Sequence, residues 1–228
     1  MFAAKFDNDN PLAHRFRDHV RAAEFPCVGA KSALSRGQMD FVVARNITSA
    51  WDDLRMLPAI ADVASRYHDD QAIFRTLIVL FEGPINLDEE AFETALWERV
   101  QSLSDKDDWL GFAPDPSVSA DPEHPHFSLS FGGEAFFIVG VHPNASRPAR
   151  RFEVPAMVFN LHDQFEVLRS EGRYEKLRSA ILDRDVALAG DINPMLARHG
   201  SSSEARQYSG RQVSNDWTCP FARGALSG

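Results

Sequence analysis

Cysteine is scarce in this chain of 228 residues: Cys27 and Cys219 are the only two, too few for a disulfide framework. Long apolar runs are missing as well. The longest, around 77–81 and 135–141, fall far short of the about 20 residues that span a bilayer as a helix. The opening stretch MFAAKFDNDN has neither an apolar segment nor a small-residue cleavage site, so no secretory signal is read there. Positive charge is the minority. Asp and Glu number 33 against 24 Lys and Arg, a net charge of −9, which argues against nucleic acid or an anionic membrane as the main partner. Also absent are H-E-x-x-H, C-x-x-C, G-x-S-x-G, a P-loop and a dinucleotide-binding glycine fingerprint, which removes the commonest hydrolase, kinase and dehydrogenase readings. A soluble cytoplasmic protein is expected.

Apolar material for a core is plentiful, with 44% hydrophobic residues and 17 phenylalanines. Asn10 and Pro11 open a helix that must stop before Pro26, and VGAKSALSRG predicts a second, short one. MDFVVARN (39–46) and AIFRTLIVLFEG (72–83) read as strands. Between them a helix capped by Thr48 or Ser49 is expected to break near Pro58. Residues 86–109 carry Leu87, Phe92, Leu96, Val100 and Leu103 at helical spacing behind an acidic first turn. A proline-rich loop covers 111–125, and Gly132-Gly133 predicts a hairpin. PAMVFN (155–160) is a further strand, followed by two helices separated at Gly172. The polar, irregular tail keeps Tyr208, Trp217 and Phe221, so most of it is expected to pack on the body. The expected fold is α+β: a single domain over residues 1–228, with a mostly antiparallel sheet flanked by helices.

One stretch stands out against the acidic background. FFIVGVHPNASRPARRF (136–152) ends a greasy strand in His142 and follows it with Arg147, Arg150 and Arg151. A histidine at an apolar wall can hold haem iron, and guanidinium groups suit propionate carboxylates; a capping histidine with solvated arginines is the plainer reading. Cys27 competes for the iron, since a helix N-terminus lowers a thiol pKa and a thiolate favours O–O cleavage. Cys219 is a third candidate. His162 sits where a helix starts, with Asn160 as a candidate cap. In the tail, Glu204 lies in a segment that either covers the sheet or closes over a pocket. His124 and His126 form a loop pair with no third ligand at helical spacing.

The stretches EFPCVGAKSAL, FFIVGVHPNASRPARRF, VFNLHDQFEVLR and ARQYSGRQVSNDWTCPF resemble those of the YqcI/YcgG family, in the same order from about Phe25 to Phe221. Some of its members resemble haem-dependent N-hydroxylases acting on the guanidine of arginine or a derivative. The resemblance therefore implies haem b, dioxygen, an electron donor and a small cationic substrate. It leaves both His142 and Cys27 open as the iron's ligand; the nearby arginines favour His142. A carboxylate should hold the cation, with Glu204 first and Glu134 or Asp163 as alternatives, and His162 completes the catalytic pair. A non-catalytic haem carrier or sensor is the alternative, and a metal-free module binding an organic anion is a third.

Overall fold

The computed structural model describes residues 3–195 and 203–222. Helix α1 (Pro11–Arg21) starts where the Asn10 side chain accepts from the Leu12 N–H at 2.9 Å. Helix α2 (Val28–Ser35) is capped by Cys27, whose sulfur accepts from the Ala30 N–H at 3.4 Å. Strand β1 (Met39–Asn46) leads to helix α3 (Asp53–Asp70) through a short turn capped by Ser49. Strand β2 (Thr76–Gly83) and helix α4 (Glu89–Trp109) follow, the latter capped by Asp88. A hairpin joins β3 (Leu129–Phe131) to β4 (Glu134–Val141). Gly132 and Gly133 both adopt positive φ, which a two-residue hairpin turn demands. The described fold ends with β5 (Ala156–Leu161), α5 (Asp163–Ser170), α6 (Tyr174–Ala189) and the tail.

Two local expectations are corrected. Helix α3 runs unbroken through Pro58. The proline forgoes one backbone hydrogen bond, and burial of Met56, Leu57, Ile60 and Val63 beneath the sheet carries the helix past it. Asn160 lies inside β5, and His162 takes the N-cap position of α5 without a side-chain capping bond.

The five strands lie in the order β1-β2-β5-β4-β3, with β1 and β2 parallel and the other pairs antiparallel. The α+β expectation holds. Strand alternation gives the sheet two faces. One carries Val42, Leu77, Val79, Phe81, Phe136, Ile138, Met157 and Phe159 against α3 and α4. The other carries Phe41, Val43, Ile78, Leu80, Ala156 and Val141 against α1 and α2. Strand β3 pairs with β4 only as far as Phe136, so the rest of that edge is open to another partner. The tail takes it: the Gly140 N–H donates to the Tyr208 carbonyl at 2.7 Å, and Tyr208 itself is fully buried. The tail thus packs on the body as expected, while residues 196–202 and 223–228 lie outside the described residues.

Candidate functional site

The α1/α2 face of the sheet is unevenly covered. On β2, Ile78 and Leu80 are fully buried. The register partners of Ile78 toward the other edge, Val158 on β5 and Val139 on β4, are only half-buried, as are Asn160 and Phe137 two residues along; the partners of Leu80, Ala156 and Val141, are buried. Helix α6 packs against α2, α5 and the turn at Pro148–Arg150. Its Leu177, Ile181 and Leu188 share the face of its single buried residue, Asp185, yet all three stay half-buried. Apolar side chains near the middle of a sheet that keep access to solvent mark a surface for something other than the chain's own core.

Cys27 caps α2, which covers the same side of the sheet and packs against α1 and α6. A Cβ placed on Gly29 would lie 3.8 Å from the Cys27 sulfur and 3.8 Å from the edge of the Phe74 ring, which leaves a methyl-sized gap between them. Burial pushes the Cys27 thiol up, while the Ala30 and Gly29 N–H groups and the charge of Arg150 pull it down. Arg150 is itself pulled down to about 10 by burial, against the opposing influence of Cys27 and Asp185.

The three arginines that crowd together in the sequence part company in space. Arg150 donates to the carbonyls of Gly140 (3.0 Å), Tyr208 (3.4 Å) and Gln207 (3.0 Å), fastening the tail to β4. Arg147 turns to α6, with its Nη2 2.5 Å from Asp185 and its Nη1 on Asp191. Arg151 donates to the carbonyls of Ala145 (2.7 Å) and Ser146 (2.9 Å), closing its own loop. Arg151 also lines, with Arg15, His19, Pro143, Phe152 and Glu153, a shallow groove of about 460 Å³ beside α1.

His142 continues the even positions of β4 and falls on the opposite face of the sheet from the strip. It is 1% exposed, and its ring stacks on Phe92 of α4 at 4.3 Å between centroids. Its Nδ1 is buried without a hydrogen-bond partner. Burial lowers its pKa, against the raising influence of Glu89, Asp88 and the Leu87 carbonyl. Counting two by two from Phe136 in the sequence would have placed it there.

His162 and Glu204, 42 positions apart, do meet. His162 Nδ1 lies 3.9 Å from a Glu204 oxygen, and its Nε2 lies 3.5 Å from Glu166. The His162 N–H donates to the Ala135 carbonyl, which sets this pair at the Ala135 end of β4, away from the Gly140 end where Arg150 binds. The Phe137 ring, edge-on to both Phe165 and Tyr208, lies between. Asp163 accepts from the Tyr67 hydroxyl at 2.7 Å, and Glu134 faces His68 at 3.7 Å. Burial and the neighbouring charges of Asp115 and Asp163 raise the Glu134 pKa.

Other candidates lie elsewhere. Cys219, itself in the tail, is buried in the core cluster that holds Phe127, Tyr208 and Phe221, its thiol pushed up to about 12 by burial. His124 and His126 keep to their loop, with ring centroids 5.6 Å apart. Among the described residues no group of three or more His, Cys, Asp or Glu could hold a bare metal ion, and no helix is long and apolar enough to cross a membrane. Phe74 and Gln164, which hydrogen-bond across 90 positions, had not been singled out in the sequence. Only the positive φ of Phe74 would have drawn the eye, and a sequence does not display it.

Comparison with known proteins bears on the whole arrangement. The protein named "Uncharacterized protein YcgG" of Bacillus subtilis (strain 168) is 28% identical over 217 residues, covering 88% of this chain and 82% of that one. No solved structure matches significantly. The YqcI/YcgG family matches residues 16–222, a span holding Cys27, the arginine loop, His162 and Glu204 together, and the chain belongs to that family.

Proposed function

We propose that the protein is a haem b-dependent monooxygenase of the cytoplasm that hydroxylates a guanidine nitrogen of arginine or of a related amine. The observation that carries this reading is the half-buried apolar strip on β4–β5, on the side of the sheet that helix α2 and its Cys27 thiol also cover, with a histidine–carboxylate pair at the Ala135 end of β4. The donor set and surroundings suit haem. Cys27 offers a sulfur next to a methyl-sized gap, and Phe137, Val139, Val158 and Leu177 offer apolar surface for a macrocycle. Cys27 suits the iron better than His142, because it stands on the strip's side of the sheet. In this reading His142 buttresses α4, and the arginines shape the site rather than all gripping propionates. Two unpaired cysteines also fit a reducing compartment.

When bound, haem supplies the oxidising chemistry, drawing on dioxygen and an electron donor. The chain's own groups do the rest. Burial raises the Cys27 pKa, and the charge of Arg150, with the Ala30 and Gly29 N–H groups, acts against it toward the anionic sulfur. The Glu204 carboxylate, mostly shielded from water, pairs with a guanidinium that is charged at neutral pH. His162 Nδ1 faces that carboxylate and is placed to take the proton a guanidinium must lose before its nitrogen becomes nucleophilic.

Absorption spectroscopy tests the reading. Titrating haem into the haem-free protein should give a saturable Soret shift, with a thiolate-type ferrous–CO band that Cys27→Ala abolishes. No saturable shift refutes haem dependence. Arginine, dioxygen and a reductant should then yield hydroxyarginine; saturable binding without oxidation of arginine or a related amine would replace the enzyme by a haem carrier or sensor.

A further inference from the structure

Phe74 sits in the loop between α3 and β2 with φ of 76°, in the left-handed region that glycine enters freely and a bulky aromatic residue avoids. Such a conformation persists only where the surroundings over-determine it. Here the Arg75 N–H donates to the Ala72 carbonyl and the Arg75 side chain pairs with Asp70, but the contact that reaches in from another element to the Phe74 backbone is Gln164. Gln164, buried on α5, accepts from the Phe74 N–H at 2.7 Å and donates to the Arg75 carbonyl at 2.7 Å. Its amide therefore grips the backbone on both sides of the Phe74–Arg75 peptide. Glycine would satisfy the same backbone without strain, so the ring is what the position gains from phenylalanine. That ring is half-buried. Its edge borders the gap beside Gly29 and the Cys27 sulfur, and the Arg36 guanidinium lies 5.7 Å from its centroid.

We infer that Phe74 is a specificity-determining wall beside the Cys27 sulfur, and that Gln164 is the positioning residue that holds its ring there. A flat ring in that place limits what reaches the sulfur and favours a planar partner lying along it. The planar partner rests on the haem reading above; the control of access to the sulfur does not.

The experiment separates the two. In the haem-free protein, alkylation of Cys27 by iodoacetamide is followed by peptide mass spectrometry, with buried Cys219 as the internal standard. Phe74→Gly should accelerate Cys27 labelling about tenfold and Gln164→Leu by a smaller factor, while Phe74→Tyr keeps the parent rate. Cys219 labelling should stay unchanged in all three. Equal Cys27 rates in parent and Phe74→Gly overturn the inference. So does a parallel rise at Cys219, which would mean general loosening rather than an opened wall. Should Phe74→Gly fail to fold, the same two outcomes are read from Gln164→Leu. A separate arm adds haem: it should protect Cys27 of the parent from iodoacetamide, and failure there removes Cys27 as the haem ligand while leaving the wall in place. If haem binds, Phe74→Gly should weaken it by roughly 3–10-fold, the range of a lost aromatic contact.

Discussion

Gly140 is the position at which a single methyl group should do most damage. A Cβ there would lie 2.7 Å from Leu96 Cδ1, 2.8 Å from Phe92 Cε1 and 2.9 Å from the Tyr208 carbonyl oxygen. The first two are side-chain ends, but both residues are fully buried in a close-packed core and have little room to yield. The third is backbone, and retreat of Tyr208 breaks the 2.7 Å bond from the Gly140 N–H and disturbs the Arg150 clamp. Overpacking of this kind costs about 1–3 kcal/mol, and a buried N–H left unmatched costs a similar amount. Gly140→Ala should therefore lose about 2–5 kcal/mol, which for a chain of this length lowers the melting temperature by roughly 5–15 °C. Thermal unfolding followed by circular dichroism reads this directly. Limited proteolysis should also cut the segment 203–222 of the variant first, because that segment is what the methyl displaces. Gly29→Ala is the control, since its Cβ meets nothing nearer than 3.8 Å. Melting of Gly140→Ala within about 2 °C of the parent would refute the close approach described here.

Arg147→Ala should destabilise by about 3–5 kcal/mol in urea unfolding, because it leaves Asp185 buried and uncompensated, whereas the double replacement Arg147→Met with Asp185→Leu should recover most of the loss. Burial depresses the folded-state pKa of His142, so its contribution is present above the unfolded value of about 6.5 and is lost as pH falls below that toward the folded value. The variant His142→Phe, which keeps a ring to stack on Phe92, should flatten that part of the stability–pH curve, measured by denaturant unfolding at a series of pH values. On the proposed function, Glu204→Gln should leave haem titration unchanged and raise KM for the guanidine substrate roughly 10–100-fold, as expected for loss of a charge-assisted contact. Gly29→Ala should firm the first turn of α2 by a few tenths of a kcal/mol yet weaken haem uptake, because its methyl fills the gap beside the Cys27 sulfur; unchanged uptake would show that the gap is not used.

What could be read from the sequence was what local chemistry decides. Asn10–Pro11, the acidic first turn before Phe92 and the Gly132-Gly133 pair each announce a terminus or turn through interactions spanning a few residues, and each holds. Cys27 at a helix N-terminus belongs to the same class. The arginine loop shows the limit. Its crowding is local, but the destinations are Asp185, the Tyr208 carbonyl and the loop's own Ala145, and the order β2-β5-β4-β3 decides which of them come near. His162 and Glu204 could be nominated one by one, yet their meeting depends on the tail lying along β4 at the edge that β3 leaves uncovered. Pro58 misled because a proline's cost is local, while the burial that outweighs it belongs to the whole helix.

The tail's place beside β4 also has a temporal side. A ribosome emits residues in order, so all five strands can pair before the segment carrying Glu204 and Tyr208 has been made. Until then the edge of β4 beyond Phe136 is bare and Arg150 lacks its Gln207 and Tyr208 acceptors. A nascent chain would thus hold the thiol, the apolar strip and His162 without the carboxylate that completes the pair. On this order of events, the cation recognition proposed for Glu204 becomes available only once residues 204–208 have been made, and a ribosome stalled before residue 204 leaves a product with an unpaired sheet edge, a ready target for proteolytic clearance.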